Sequence, residues 1–373
     1  MRRVCMHKNQ GPVYYGDYLK LNDFLNCQNP KSRQYASVDN PEAHDETLFI
    51  VVHQAYELWF KQILHDLNYV LSCFAQEKIA DDQLSSIVQK LDRIRKVQSL
   101  FGTHLEILET MTPMDFLEFR NLLIPASGFQ STQFREIEIK LGLGTIDRQS
   151  IDREFFLGRL NQNDRERLTS LENSPSLLKL LSTWLERTPY TEHVDFNFWD
   201  EYQKSIHSIL SEDELTIQNN LAHLSELEQK AQIENLKTTR ATFASLFDLE
   251  AHQKLVSEGQ RKLSQKAILN ALFILLYRDE PLLAMPHQII TILMDIDENF
   301  TAWRYRHALL AQRMLGTKIG TGGSSGHQYL KRAADNNRVF VDLFNLSTYL
   351  IPRSRLPRLP NSVKKQLNFY ASL

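Results

Sequence analysis

Three cysteines in 373 residues, Cys5, Cys27 and Cys73, with no Cys-x-x-Cys spacing, speak against a disulfide framework and against a thiolate metal site. A reducing, cytoplasmic setting is expected from that scarcity. An excess of charge of one sign is also missing. With 43 basic and 45 acidic residues the formal net charge is -2, which leaves no broad field to gather nucleic acid or a membrane surface, so the expected partner is small and nearly neutral. Apolar runs such as Ala271–Tyr277 fall well short of the roughly 20 residues that span a bilayer. The start, Met1-Arg2-Arg3-Val4, lacks the apolar stretch and cleavage site of a signal peptide, and a soluble protein is expected. Asn-Gly and Asp-Gly turns are absent, and no set of alternating strands stands out, which removes the usual signals of a β protein.

What is present is helical periodicity. Leu48, Phe49, Val52, Leu58, Trp59, Ile63, Leu67 and Val70 recur at spacings of three, four and seven, the mark of a helix face turned to a core. Similar patterns cover Leu84–Leu108, Phe129–Leu141, Asp213–Leu236, Leu263–Tyr277, His287–Met294 and Asp297–Leu315. The fold class predicted is all-α, a helical bundle. Punctuation and polarity divide it into residues 1–144, a more polar helical insertion at 145–258 broken at Ser174-Pro175 and Thr188-Pro189, and residues 259–373. Within the last part, Ile351–Pro360 is proline-rich and extended; its arginines are either anion partners or a solvated basic surface.

Three helical stretches carry residues with chemistry in them. On the first, Phe49, His53 and Glu57 are spaced i, i+4, i+8 and share one face: an aromatic wall, an imidazole and a carboxylate. His53 is there either as a satisfied core histidine or as a functional group, and His53-x-x-x-Glu57 offers two ligands to a non-haem metal with no third nearby. On the second, Thr112 is an N-cap with Pro113 at the first helical position and Asp115 completing a capping pattern, after which Phe116 and Arg120 share a face. Arginine is the natural bidentate partner of a carboxylate, and equally a common structural ion pair.

The third is Asp295–His307, where the acids Asp295, Asp297 and Glu298 are read as lying near a helix start and favouring its dipole, while Trp303 and His307 share a face. A neutral imidazole on a helix is the usual proximal ligand of haem iron. Behind it, Lys318–Gly326 holds four of the chain's 13 glycines. With no preceding strand and no Gly-x-x-x-x-Gly-Lys-Ser/Thr spacing this run is not a nucleotide loop, and it is expected to be a lid over a pocket.

Taken together, Tyr15-Gly16-Asp17-Tyr18-Leu19, the run His44-Asp45-Glu46 through His53-Gln54 to Glu57-Leu58-Trp59, Phe119-Arg120, Pro125-Ala126-Ser127-Gly128-Phe129-Gln130-Ser131, Trp303-Arg304-Tyr305-Arg306-His307, Gly320–Gly326 and Asp342–Thr348 resemble the tryptophan 2,3-dioxygenases, in order and across nearly the whole chain. The resemblance implies a haem b enzyme, ferrous when active, that adds O2 across the indole C2–C3 bond of L-tryptophan to give N-formylkynurenine at the head of the kynurenine pathway. It implies His307 as the axial iron ligand, with Ser127, Gly128 and Trp303 around the cofactor. His53 is then the catalytic-side histidine that meets the indole N–H, Phe49 and Phe116 the walls around the ring, Arg120 the partner of the α-carboxylate, and Thr321 the contact at the ammonium end. A homotetramer is implied, with Tyr15, Tyr18 and Leu19 reaching into a neighbouring subunit's pocket. Some relatives carry tyrosine where this chain has Phe116, which removes a hydroxyl and keeps the apolar wall. The region 145–258 resembles the extra helical portion of the longer, eukaryote-like members. Three other readings are a haem dioxygenase acting on another indole, an inactive helical scaffold, and a non-haem metal enzyme; the colour of the pure protein separates the scaffold from the first.

Overall fold

The computed structural model describes residues 11–39, 41–144, 157–158, 160–189, 191–193, 196–220, 224–316, 318 and 326–367. The N-terminal arm carries α1 (Tyr15–Leu19) and α2 (Leu21–Phe24), and the first long helices are α3 (Asp45–Phe74) and α4 (Asp81–Leu108). The short α5 (Pro113–Arg120) and α6 (Thr132–Leu141) follow, then α7 (Gln162–Glu172), α8 (Leu177–Leu185), α9 (Phe198–Asn220), α10 (Glu226–Ser245) and α11 (Leu249–Ser257). The chain returns through α12 (Gln265–Leu276) and the 35-residue α13 (Pro281–Leu315), and ends with α14 (Gly326–Asn336), α15 (Val341–Asn345) and α16 (Asn361–Leu367). Among the described residues the only sheet is the two-residue pair β1 (Glu192–His193) and β2 (Phe196–Asn197), antiparallel. The predicted all-α class is what forms.

Helix starts follow local chemistry. Thr112 accepts from the Asp115 N–H while the Asp115 carboxylate accepts from the Thr112 N–H at 3.0 Å, and Pro113 takes the first position, as the spacing predicts. Ser131 caps α6, so the periodic run expected from Phe129 begins three residues later, behind a 3-10 turn at Gly128–Gln130. The single helix expected over Asp213–Leu236 is two: α9 stops at Asn220, and Ser225 with Glu228 forms a capping box that starts α10. A serine and a glutamate three residues on offer the backbone local partners that compete with continuing the helix.

The opposite error occurs in α13. His287–Met294 and Asp297–Leu315 fuse into one helix, so Asp295, Asp297 and Glu298 lie in its middle and cannot favour a start. Ile289, Leu293, Ile296 and Phe300 carry the apolar stripe straight through. Asp297 is buried because it has another task. Its carboxylate accepts the backbone N–H of Val339 at 3.0 Å and of Phe340 at 3.0 Å, which pins the chain after α14 onto α13. Burial still drives its pKa upward, with those two N–H groups and the nearby Arg304 and Arg338 opposing.

α3, α4 and α13 pack together around Ile63, Leu67, Leu91, Phe101, Ile289 and Leu293, all essentially sealed from water. Each such side chain contributes about 1.5–3 kcal/mol of transfer free energy. α8 lays Leu177, Leu181 and Leu185 into that same core, and α9 adds Phe198 and Tyr202, whereas α10 buries none of its residues. The proline-rich stretch after Ile351 contains a 3-10 turn at Arg353–Arg355, whose arginines pair with Asp279 at 2.9 Å and with Glu212. Those pairs are half-exposed or more, so they are surface ion pairs worth little. Cys27 and Cys73 are free thiols, one exposed and one in the core.

Candidate functional site

Between α3, α5, α6, α13 and α14 lies a cavity of about 310 Å³ with a mostly apolar lining. Phe49, His53 and Glu57 reach it from α3, Phe116 from α5, Ser127 and Gly128 from the turn before α6, and Trp303 and His307 from α13. The sequence spacing that set Phe49, His53 and Glu57 on one face is thus realised, as is that of Trp303 and His307. Arg120 ends α5 one turn beyond Phe116 and does not line the cavity. Tyr15, Tyr18 and Leu19 stay on the exposed N-terminal arm, at 70%, 75% and 41% exposure, and do not approach the cavity of their own chain. Thr321 and the rest of the glycine run Ile319–Ser325 lie outside the described residues.

The arm is nonetheless tied to α3. Glu46, buried in the first turn of that helix, accepts the Lys31 N–H at 2.6 Å and the Ser32 N–H at 2.8 Å, and Gln28 donates to Gln54 at 2.7 Å.

The two histidines differ in their surroundings. His53 stacks beside Phe49, ring centroids 4.1 Å apart, and its Nδ1 lies 2.7 Å from the Phe49 carbonyl oxygen. A carbonyl can only accept, so Nδ1 carries the proton and Nε2 of the neutral ring is an acceptor. Although His53 is partly exposed, the protein around it desolvates it enough to lower its pKa, against the opposing pull of the Phe49 bond and Glu57. His307 is pushed down to about 4, first by desolvation and then by His53, so it is neutral at ordinary pH. Neither of its ring nitrogens has a hydrogen-bond partner among the described residues.

Aromatic groups brace both. The Trp303 ring sits 5.5 Å from that of His307 and its indole N–H donates to the Tyr56 hydroxyl at 3.3 Å, which in turn donates to the Phe101 carbonyl at 2.6 Å. Burial raises the Tyr56 phenol to about 12, so it stays a hydroxyl and holds Trp303 in place. On the other side Phe49, Phe116 and Phe119 form a cluster with centroids 5.5 to 5.8 Å apart.

Sequence reasoning missed the polar floor of the cavity. Glu138 on α6, 2% exposed, accepts from Arg304 Nη2 at 2.8 Å and from Arg135 Nη1 at 2.7 Å. Arg304 also donates to the Asn337 carbonyl at 2.9 Å and lies 5.6 Å from the Phe300 ring centre. The i, i+3 spacing of Arg135 and Glu138 was readable; a partner 166 positions away was not.

An imidazole lining a mostly apolar cavity would suit a planar iron macrocycle. His307 makes no hydrogen bond among the described residues, Phe134 and Trp303 give the cavity aromatic walls, and a Cβ added at Gly128 would meet nothing within 4 Å, so space is left where the chain passes the cavity. Glu57, by contrast, is engaged by Gln133 at 2.8 Å, and no group of three His, Cys, Asp or Glu able to hold a metal ion exists among the described residues, so the His53 and Glu57 ligand pair does not assemble a non-haem centre there.

The chain matches the family model "Tryptophan 2,3-dioxygenase" over residues 4–350. It is 48% identical over 365 residues to the tryptophan 2,3-dioxygenase of Alteromonas mediterranea, covering 98% of this chain and 99% of that protein. It is 47% identical over 359 residues to that of Bdellovibrio bacteriovorus, with 96% and 99% covered, and 44% identical over 365 residues to that of Dictyostelium discoideum, with 98% and 90% covered. With a helical cavity that sets two neutral histidines of distant segments among aromatic walls, and with likeness along nearly its full length, the chain belongs to the tryptophan 2,3-dioxygenase family.

Proposed function

We propose that this enzyme is a haem-dependent dioxygenase that adds O2 across the indole C2–C3 bond of L-tryptophan and releases N-formylkynurenine, the first step of tryptophan catabolism through the kynurenine pathway. The observation that carries the reading is the pair His53 and His307, two neutral imidazoles from α3 and α13 lining one aromatic cavity.

His307 would hold the iron of haem b, with Trp303, Ser127 and Gly128 around the macrocycle. Bound ferrous haem supplies the means of reacting ground-state O2 with a closed-shell substrate. The protein's own part is to bind and orient. His53 offers Nε2 as acceptor to the indole N–H, its Nδ1 being spent on the Phe49 carbonyl. Phe49 and Phe116 wall the ring and keep water from it. Arg120, beyond Phe116, takes the α-carboxylate, and Thr321 meets the ammonium end. Holding the amino acid by its indole and by its charged end restricts it to one orientation. Tyr15, Tyr18 and Leu19, exposed on the arm, complete a neighbouring subunit's pocket in a homotetramer. No helix among the described residues is long and apolar enough to cross a membrane, and a cytoplasmic enzyme fits the free thiols.

The direct test is to reduce the haem-loaded protein anaerobically, add O2 and L-tryptophan, and follow the absorbance of N-formylkynurenine. A coloured protein that forms none, or that turns over another indole in preference, would sink the assignment to tryptophan. His53→Ala should retain haem and slow turnover, and unaltered kinetics would remove His53 from the substrate. Arg120→Ala should lower kcat/KM by an amount equivalent to about 2–5 kcal/mol with haem loading unchanged, as for loss of a partner to a buried charge.

A further inference from the structure

The glycine run leads into α14, which lies along the helix that carries His307 and supplies Leu330 and Ala333 to the cavity, with Asn337 just after its end. Those three are spaced i, i+3, i+7 and form one wall of the slot. α14 is held to α13 at successive points. Asp297 binds the N–H groups of Val339 and Phe340, Arg304 binds the Asn337 carbonyl, and the Tyr305 hydroxyl donates to the Asp335 carboxylate. These contacts secure the C-terminal end of α14 and the residues after it.

The N-terminal end has a different tie. His327, half-buried in the first turn, places Nδ1 3.0 Å from the Ala308 carbonyl oxygen, immediately beside His307 in the chain. The two helices therefore run antiparallel, with Ala308 against His327 and Arg304 against Asn337. Because the carbonyl can only accept, His327 must donate from Nδ1. Among the described side chains of the first turn of α14, His327 supplies the hydrogen bond that ties it to α13. A helix pinned at one end opens from the other, since local unfolding proceeds from the least tethered terminus.

We propose that His327 is a positioning residue that keeps the cavity wall formed by α14 closed against the planar cofactor, and so governs how slowly the protein releases it. The inference rests on haem as the ligand of this cavity. It gives His327 no contact with substrate and no part in the bond changes.

The test compares haem release from wild type, His327→Phe and His327→Asn, each loaded with haem and mixed with excess apomyoglobin. Phenylalanine keeps the ring and loses the donor; the amide N–H2 of asparagine occupies nearly the place of Nδ1 and restores it. His327→Phe should release haem roughly threefold to tenfold faster, the range expected for one net hydrogen bond. His327→Asn should return the rate to that of wild type, and both variants should keep the wild-type absorption maxima, because His307 is untouched. His327→Leu serves as a second donorless variant if the phenylalanine ring hinders folding. Equal release from wild type and both donorless variants, or release from His327→Asn as fast as from His327→Phe, would overturn the proposal. A wild-type protein that takes up no haem at all would instead overturn the reading of the site.

Discussion

Replacing His307 with alanine is expected to give a folded protein that purifies without haem and without a Soret band, whatever haem supply is used. The ring is half-buried at a cavity wall and makes no hydrogen bond among the described residues, so its loss removes few packing contacts. Its loss removes the one imidazole on α13 that could ligate iron from that side of the slot. Retention of a full Soret band by His307→Ala would show that the iron ligand lies elsewhere. The same burial has a pH signature in the haem-free protein. With a folded pKa of about 4 against an ordinary value of 6.5, His307 favours folding fully above pH 6.5 and loses that contribution as pH falls toward 4, where the unfolded chain binds the extra proton. Urea midpoints of the haem-free protein should therefore fall over that window, and should fall less in His307→Ala.

Glu138→Ala is expected to destabilise the fold by about 3–5 kcal/mol, read from urea unfolding of the haem-free protein. Glu138 and Arg304 are both almost fully removed from water, and their ion pair at 2.8 Å is what allows the guanidinium to stay charged there. Truncating the carboxylate removes the charge that pairs with Arg304 in a low-dielectric floor. Glu138→Gln, which keeps an acceptor but not the charge, should fall between wild type and alanine. A loss below about 1 kcal/mol for Glu138→Ala would mean that the pair behaves as a solvated surface bridge. The network also joins α6 to α13 and, through Asn337, to the end of α14, so haem uptake should weaken along with stability.

The sequence was most legible where function and local geometry coincide. Phe49, His53 and Glu57 on one face of α3 follow from helical period alone, and the start of α5 follows from Thr112, Pro113 and Asp115, whose capping bonds involve only near neighbours. It was least legible where a polar residue has a distant partner. Asp297 reads as a residue of a helix start because acids near a start are favourable; it is mid-helix because Val339 and Phe340, more than 40 positions later, use its carboxylate. Arg120 reads as a pocket residue beside Phe116, yet lies outside the cavity lining of the single chain.

By itself, the order of residues determined an all-helical chain, which faces of its helices are apolar, and which family it belongs to. Those properties depend on period, capping and contiguous motifs, all written within a few turns of backbone. Only the tertiary structure decided that His53 Nε2 is the free acceptor, that Glu138 neutralises a cavity arginine, and that His327 ties α14 to the carbonyl next to His307. Each of those depends on a close approach of atoms, and hydrogen bonds and buried ion pairs have strength only at such distances, which spacing along a chain does not encode.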